Sequence, residues 1–141
     1  MSGRGDDRPL GYLLHRVAAA LRSEVTATAL EPIGLTFPQY ICMRVLAASP
    51  GRTNASLARD VNVSPQAMNT VVRSLQERGL VSRPATVTAG RSLPAELTRA
   101  GRDALAEIDA GVRAAEQKVL ADLTAEQRRE FRRLLVAVAS D

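Results

Sequence analysis

The chain has few of the residues from which most enzyme active sites are built. Its 141 residues include one cysteine, one histidine, no tryptophan, two tyrosines and two phenylalanines. The sequence also contains no glycine-rich phosphate loop and no set of residues with the spacing of metal ligands. We therefore expect no catalytic activity, no metal and no cofactor.

A membrane segment and a disulfide framework are missing as well. No apolar run reaches the ~18 residues that a membrane-spanning helix needs, and no signal-peptide pattern is present. The single cysteine, Cys42, cannot form a disulfide within the chain, which is consistent with a reducing compartment. These absences predict a cytoplasmic protein without membrane contact. Because aromatic residues are scarce, we expect an aliphatic core of packed helices.

The most informative part of the sequence is a helix with a marked start and a marked end. Ser64 is a good N-cap, Pro65 falls at the first helical position, and Gly79 suits the left-handed residue after the last turn. Residues at three- and four-residue spacing form one apolar stripe, namely Met68, Val71, Val72 and Leu75.

The segments on either side of this helix complete a winged helix. A short helix is expected at 53–61, and Asn62 tolerates the positive φ of a tight turn, so the two helices form a helix-turn-helix. Two antiparallel strands are expected at 80–83 and 93–97, and the Pro-, Thr- and Gly-containing segment between them suits a projecting loop. The predicted fold class is mainly α with a small two- or three-stranded β wing.

Positive charge is concentrated in this winged helix. Residues 52–102 contain eight arginines and three acidic residues, whereas the rest of the chain contains eleven basic and twelve acidic residues. Such a concentration is expected where a protein contacts DNA phosphates and releases counterions.

The polar face of the second helix is the predicted contact with double-stranded DNA. Amide, hydroxyl and guanidinium side chains on this face can reach base edges and phosphates, and small apolar side chains can contact thymine methyl groups. Arg83 is expected to touch phosphate or to brace the wing, and Arg91, near the wing tip, suits the narrow minor groove. The predicted DNA-binding residues are Ser64, Pro65, Gln66, Ala67, Asn69, Thr70, Arg73, Arg83 and Arg91. Taken alone, this helix face is also compatible with an ordinary solvated surface.

The terminal helices carry more apolar surface than a small winged helix can cover. The remaining helices are expected at 9–31, 36–48, 98–122 and from 124 onward. A wide apolar stripe on an end helix favours a homodimer, although intramolecular packing of the terminal helices is the alternative. The predicted organisation is a flexible N-terminus (1–8), a winged helix-turn-helix DNA-binding domain (35–102) and a helical dimerisation region (9–34 and 103–141). A two-fold dimer would place its recognition helices ~34 Å apart and would need a palindromic operator.

The sequence resembles the MarR family (multiple-antibiotic-resistance regulators) over nearly its whole length. The residues that carry the resemblance are Leu57-Ala58, Val63-Ser64-Pro65, Leu75, Gly79-Leu80-Val81, Arg83, Arg91 and Leu97-Thr98-Arg99-Ala100-Gly101. The family's wing usually carries an Asp-X-Arg motif, and the matching positions here read Ala89-Gly90-Arg91. The wing arginine is therefore present, but the aspartate that steadies it is replaced by Ala89.

The resemblance also implies a ligand site, because small aromatic acids bind such regulators between the dimer helices and the winged helix. The matching candidates are His15 and Arg16 on the first helix and Tyr40 and Met43 on the second. Arg16 could bind a carboxylate bidentately, and Tyr40 could stack or donate its hydroxyl. The alternatives are a surface ion pair for Arg16 and a core position for Met43.

The sequence therefore predicts a homodimeric repressor that a small aromatic or phenolic effector releases from a palindromic operator. The effector would act by binding one of two arrangements of the DNA-binding lobes more tightly than the other. Two alternatives are a redox-switched repressor acting through Cys42 and a winged helix that binds protein rather than DNA. A redox switch would require Cys42 to be exposed and to have a low pKa.

Overall fold

The computed structural model describes residues 6–83 and 95–139, which form six α-helices and one two-stranded antiparallel sheet. The elements in chain order are α1 (Leu10–Val25), α2 (Phe37–Ala48), α3 (Asn54–Val61), α4 (Pro65–Glu77), β1 (Val81–Ser82), β2 (Glu96–Leu97), α5 (Arg99–Val119) and α6 (Ala125–Ala139). This architecture confirms the predicted class, mainly α with a small β wing. Residues 1–5 of the predicted flexible N-terminus and the whole of the predicted wing loop (84–92) lie outside the described residues.

The first helix departs from the expected continuous helix that runs to about residue 31. After Val25 the chain continues as a π-helical turn (Thr26–Leu30) and a short 3-10 turn (Glu31–Ile33), and Gly34 ends it at a φ of 70°. The wider π turn packs closely on α5, since a Cβ added at Gly111 would lie 2.7 Å from the Cβ of Ala29. This close packing between helices is a tertiary contact, which the spacing of apolar residues in α1 does not predict.

The predicted helix starts agree with the structure because capping is local. Thr36 and Gln39 form the capping box of α2, with Gln39 Oε1 accepting from the Thr36 amide at 2.8 Å. Ser64 Oγ accepts from the Ala67 amide at 3.1 Å and so caps α4. Each such cap stabilises its helix by about 1 kcal/mol. The predicted positive φ of Asn62 is also confirmed, at 62°.

The wing sheet is shorter than expected. Val81 pairs with Leu97 and Ser82 with Glu96, and a single bridge between Arg52 and Ala95 adds a third segment beside them. Leu80, the expected first residue of the strand, instead closes the end of α4, because its amide donates to the Leu75 carbonyl at 2.9 Å. Residues 93 and 94 of the second expected strand lie outside the described residues.

One hydrophobic core joins the end of α1 to the winged helix. Its fully buried members include Leu30, Met43, Leu46, Leu57, Met68, Leu75 and Ile108. By contrast, none of the residues of α6 is buried, and Leu134 and Val138 remain 48% and 85% exposed. Leu10 of α1 is 74% exposed. The core therefore holds the winged helix together and leaves apolar surface on the terminal helices.

Within the ranges that the structure describes, no helix combines the length and the apolar character needed to cross a bilayer.

Candidate nucleic-acid interface

The burial of one side of α4 determines which of its residues face outward. Met68, Val72 and Leu75 are at most 1% exposed and pack in the core. The opposite face is therefore turned to solvent, where a duplex can approach it. All seven predicted contact residues at the start of α4 and along this face are exposed, namely Ser64, Pro65, Gln66, Ala67, Asn69, Thr70 and Arg73.

Hydrogen bonds within the protein decide what several of these side chains can offer to DNA. Thr70 Oγ1 donates to the Gln66 carbonyl at 3.3 Å, so its oxygen lone pairs remain available as acceptors. Asn69 Oδ1 accepts a hydrogen bond from Asn54 Nδ2 on α3. Within the described chain, the side chains of Gln66 and Arg73 make no hydrogen bond, and both can therefore reach a ligand.

Arg83 lies at the base of the wing and is hydrogen-bonded to α3. The residue is half-buried, and its Nη2 donates to Asn54 Oδ1. Burial lowers the pKa of the Arg83 guanidinium from its ordinary value. Its Nε is buried and finds no partner among residues 6–83 and 95–139. Of the two roles considered from the sequence, bracing the wing is the one that this geometry favours.

The other predicted wing contact, Arg91, and the neighbouring Ala89 lie outside the described residues.

Three hydrogen bonds that the sequence did not indicate tie α4 and the residue after it to α2 and to the segment that precedes α2. Arg78, just after α4, donates from Nη2 to the Ile33 carbonyl at 2.7 Å and from Nη1 to the Gly34 carbonyl at 2.8 Å. Gln39 Nε2 donates to Ser74 Oγ at 2.7 Å. The segment after α1 and the helix α2 are therefore both joined directly to the C-terminal part of α4.

The structure distributes the four predicted ligand-binding residues between surface and core. His15 and Arg16 are exposed on α1, whereas Tyr40 is 8% exposed and Met43 fully buried on α2. The Tyr40 ring contacts Phe37 edge-to-face with centroids 5.8 Å apart, and burial raises the pKa of its phenol. Its hydroxyl has no hydrogen-bond partner in the described chain, so its donor is available to a ligand.

A cavity of about 430 Å³ lies elsewhere, between α1, α5 and α6. Its lining includes the apolar residues Leu21, Leu120 and Phe131, together with arginines such as Arg113 and Arg132. None of the four predicted ligand-binding residues lines this cavity. It opens instead beside the apolar surface that α6 leaves uncovered.

Cys42 lacks both properties that a redox sensor requires. It is fully buried, and burial raises the pKa of its thiol to about 11, an effect that nearby Arg83 only partly offsets. A neutral, inaccessible thiol is a poor nucleophile. Residues 6–83 and 95–139 also contain no group of three histidine, cysteine, aspartate or glutamate residues placed to hold a metal ion.

Comparison with known proteins agrees with this geometry. Residues 33–92 match the model of the MarR family. The chain is 57% identical over 139 residues to the HTH-type transcriptional repressor Rv2887 of Mycobacterium tuberculosis, and the match covers 99% of both chains.

Solved structures of the same relative superpose closely. The structure of Rv2887 with salicylic acid has a TM-score of 0.81 at 57% identity, covering 95% of this chain and 98% of that one. The structure of Rv2887 with DNA has a TM-score of 0.80 at 53% identity, covering 95% of this chain and 100% of that one. The fold and the sequence identity to Rv2887 lead to one family assignment. A transcriptional regulator of this family agrees with the expectation that the protein is not an enzyme. This chain belongs to the MarR family of winged-helix transcriptional regulators.

Proposed function

We propose that two copies of this chain form a cytoplasmic repressor that binds a palindromic operator and that a small aromatic acid or phenol releases it. The observation that carries the proposal is the exposed polar face of α4, held on a buried apolar stripe, in a chain 57% identical to a repressor crystallised with DNA. The arginine excess of residues 52–102 supplies the sequence-independent attraction to phosphates. Base edges would be read from Gln66, Asn69, Thr70 and Arg73, and Arg91 would enter the minor groove.

The terminal helices support self-association. None of the residues of α6 is buried in the single chain, and its exposed leucines and valines would be covered by the same helices of a second copy. Two-fold symmetry uses one self-complementary patch twice, and it points the two α4 helices at successive turns of one DNA face. In this arrangement 9–34 and 103–141 form the dimerisation region, and 35–102 forms the DNA-binding domain.

The effector class follows from the relative and from the chemistry of the candidate residues. Rv2887 has been crystallised with salicylic acid and with p-aminosalicylic acid, both aromatic carboxylates. On this chain, exposed Arg16 and His15 offer positive or hydrogen-bonding groups to a carboxylate, and Tyr40 offers a hydroxyl donor beside buried Met43. The contacts of Arg78 with Ile33 and Gly34 would pass a shift of α1 to α4.

DNA binding is tested by titrating the purified protein into a labelled duplex selected from a random pool, with fluorescence anisotropy as the readout. We expect affinity to fall steeply with salt, and Arg73→Ala to weaken binding at least about fivefold. The matched control is Arg133→Ala, which removes an arginine from the exposed face of α6 and should leave DNA affinity unchanged.

The effector arm adds salicylate to the preformed complex and should release the DNA. Binding without preference over random duplex, or insensitivity to salt, would contradict the proposed function. Retention of the complex in saturating salicylate would contradict the effector class while leaving DNA binding in place.

A further inference from the structure

Three polar side chains from separate elements form a hydrogen-bonded chain that ends on the recognition helix. Arg83, after β1, donates from Nη2 to Asn54 Oδ1 at the start of α3. Asn54 Nδ2 then donates to Asn69 Oδ1 on the exposed face of α4. We propose that Asn54 is a positioning residue that turns the Asn69 amide so that α4 presents a hydrogen-bond donor, and not an acceptor, to the major groove. The inference rests on the proposed function, since it concerns how the same helix reads DNA.

The direction of this hydrogen-bonded chain is fixed by its first member. A guanidinium group carries donors only. The atom of Asn54 that faces Arg83 must therefore be its carbonyl oxygen, and the atom that faces Asn69 must be its amide nitrogen. Asn69 can accept from that nitrogen only through Oδ1, which leaves Asn69 Nδ2 facing outward. If either amide were turned around, a donor would face a donor or an acceptor would face an acceptor.

The surrounding structure holds the three residues in register. Thr53 caps α3 directly before Asn54 by accepting from the Ser56 amide at 3.2 Å. The helices α3 and α4 share a packed interface, in which Leu57 and Met68 are fully buried. Arg83 is half-buried and directly follows β1, which is paired with β2. The donor orientation of Asn69 is thus set before DNA arrives.

This orientation makes a prediction about the base that Asn69 contacts. An unconstrained asparagine reads adenine with both amide atoms, accepting from N6 and donating to N7. With Oδ1 turned toward Asn54, Asn69 presents its amide hydrogens to the groove. Guanine (acceptors O6 and N7), adenine (N7) and thymine (O4) each have an acceptor that fits such a donor, whereas cytosine presents only its N4 amino group, which opposes it.

The test reverses the direction of the hydrogen bond between residues 54 and 69 by a substitution at Asn54, which does not itself contact DNA in this proposal. The measured quantity is the change in base preference at the position that Asn69 reads. Selection from a random duplex pool with the wild-type protein and with Asn69→Ala identifies the base position that Asn69 reads. In Asn54→Asp the introduced carboxylate accepts from Arg83 and also from Asn69 Nδ2, so that Asn69 Oδ1 turns outward. We expect the preference at that one position to shift by about fivefold or more toward cytosine, whose major-groove edge only donates, with other positions unchanged.

A matched variant separates this effect from the added negative charge. Asn62→Asp makes the same chemical change in the turn between α3 and α4, where Asn62 has a φ of 62°. It should weaken binding to all sequences without changing the preference. Thermal unfolding of each variant establishes that it is folded. If Asn54→Asp does not fold, Asn69→Asp replaces the outward donor with an acceptor and should move the preference to cytosine.

The outcomes distinguish this inference from the proposed function. A wild-type preference for cytosine at the Asn69 position, or an unchanged preference in a folded Asn54→Asp variant, would overturn the inference while DNA binding stands. Equal weakening of all sequences by Asn69→Ala would also overturn it, because Asn69 would then contact phosphate. Failure of the wild-type protein to enrich any duplex would remove the proposed function, and the inference with it.

Discussion

The exposed apolar face of α6 can be tested by placing a charge on it. Leu134 is 48% exposed in the single chain, so about half of its surface is available to a partner. Complete burial of a leucine contributes about 1.5–3 kcal/mol, and the part still to be buried in a dimer therefore contributes about 1 kcal/mol in each protomer. Leu134→Asp removes this contribution and places a carboxylate in the interface, which costs several kcal/mol more for each ion.

Two-fold symmetry places the substitution in both protomers. The combined loss exceeds about 4 kcal/mol, which corresponds to a self-association about 1,000-fold weaker. Sedimentation velocity over a range of micromolar concentrations should show a dimer for the wild type and a monomer for Leu134→Asp. Because no residue of α6 is buried in the single chain, circular dichroism should show that the variant retains its helices.

The control for this experiment is Arg133→Asp on the polar side of the same helix. Arg133 is 63% exposed, and its ion pair among the described residues is with Glu130 one turn earlier, an exposed pair of little energetic value. This variant should remain dimeric. A folded Leu134→Asp protein that dimerises like the wild type, or equal dissociation of both variants, would refute the placement of the dimer interface on α6.

Three further predictions concern the chain itself. Gly101→Ala should lower the Tm by about 5 °C or more, because the added methyl group would collide with the Leu80 carbonyl oxygen; an unchanged Tm would contradict this packing. Burial raises the pKa of the Cys42 thiol to about 11, so the contribution of the neutral thiol to stability is complete below pH 9 and is lost as the pH rises toward 11. Maleimide should label Cys42 at neutral pH only after unfolding. Rapid labelling of the native protein would contradict the burial, and Cys42→Ser should leave any peroxide response unchanged. Arg78→Ala should lower the free energy of unfolding in urea by about 1 kcal/mol, a value discounted for solvent exposure. Arg78→Lys should restore only part of this stability, because lysine lacks the second donor arm. Equal stability of all three proteins would show that the two carbonyl contacts contribute nothing.

The sequence predicted best those features that depend on neighbouring residues. The caps at Thr36, Ser64 and Thr98 each satisfy an amide within their own first turn, so their residue types suffice to locate a helix start. The buried stripe of α4 was equally predictable, since Met68 and Leu75 recur at helical spacing and lie in the core.

The features that the sequence did not predict depend on residues far apart in the chain. The π turn after Val25 matches the close approach of Ala29 to Gly111, a contact that no local pattern reports. The expected end of α5 near residue 122 was three residues too late, and Arg128 of α6 donates to the Leu120 and Leu123 carbonyls in the turn between these helices.

The candidate site shows the same division between local and distant effects. Its exposed face on α4 was predicted residue by residue from amphipathic spacing. The contacts of Asn54 could not be predicted in this way, because they join residues 15 and 29 positions apart in the chain. The hydrogen bonds of Arg78 likewise span 44 and 45 positions. Contacts of this kind determine how a side chain is oriented, which the residue type alone does not specify.

The central claim is that paired copies of α4 read two halves of one duplex, and selection of bound DNA from a random pool tests it most directly. The account predicts enrichment of a two-fold symmetric site whose half-sites are centred about one helical turn, ~34 Å, apart. Enrichment of a single unpaired half-site, or of no sequence at all at low salt, would contradict it.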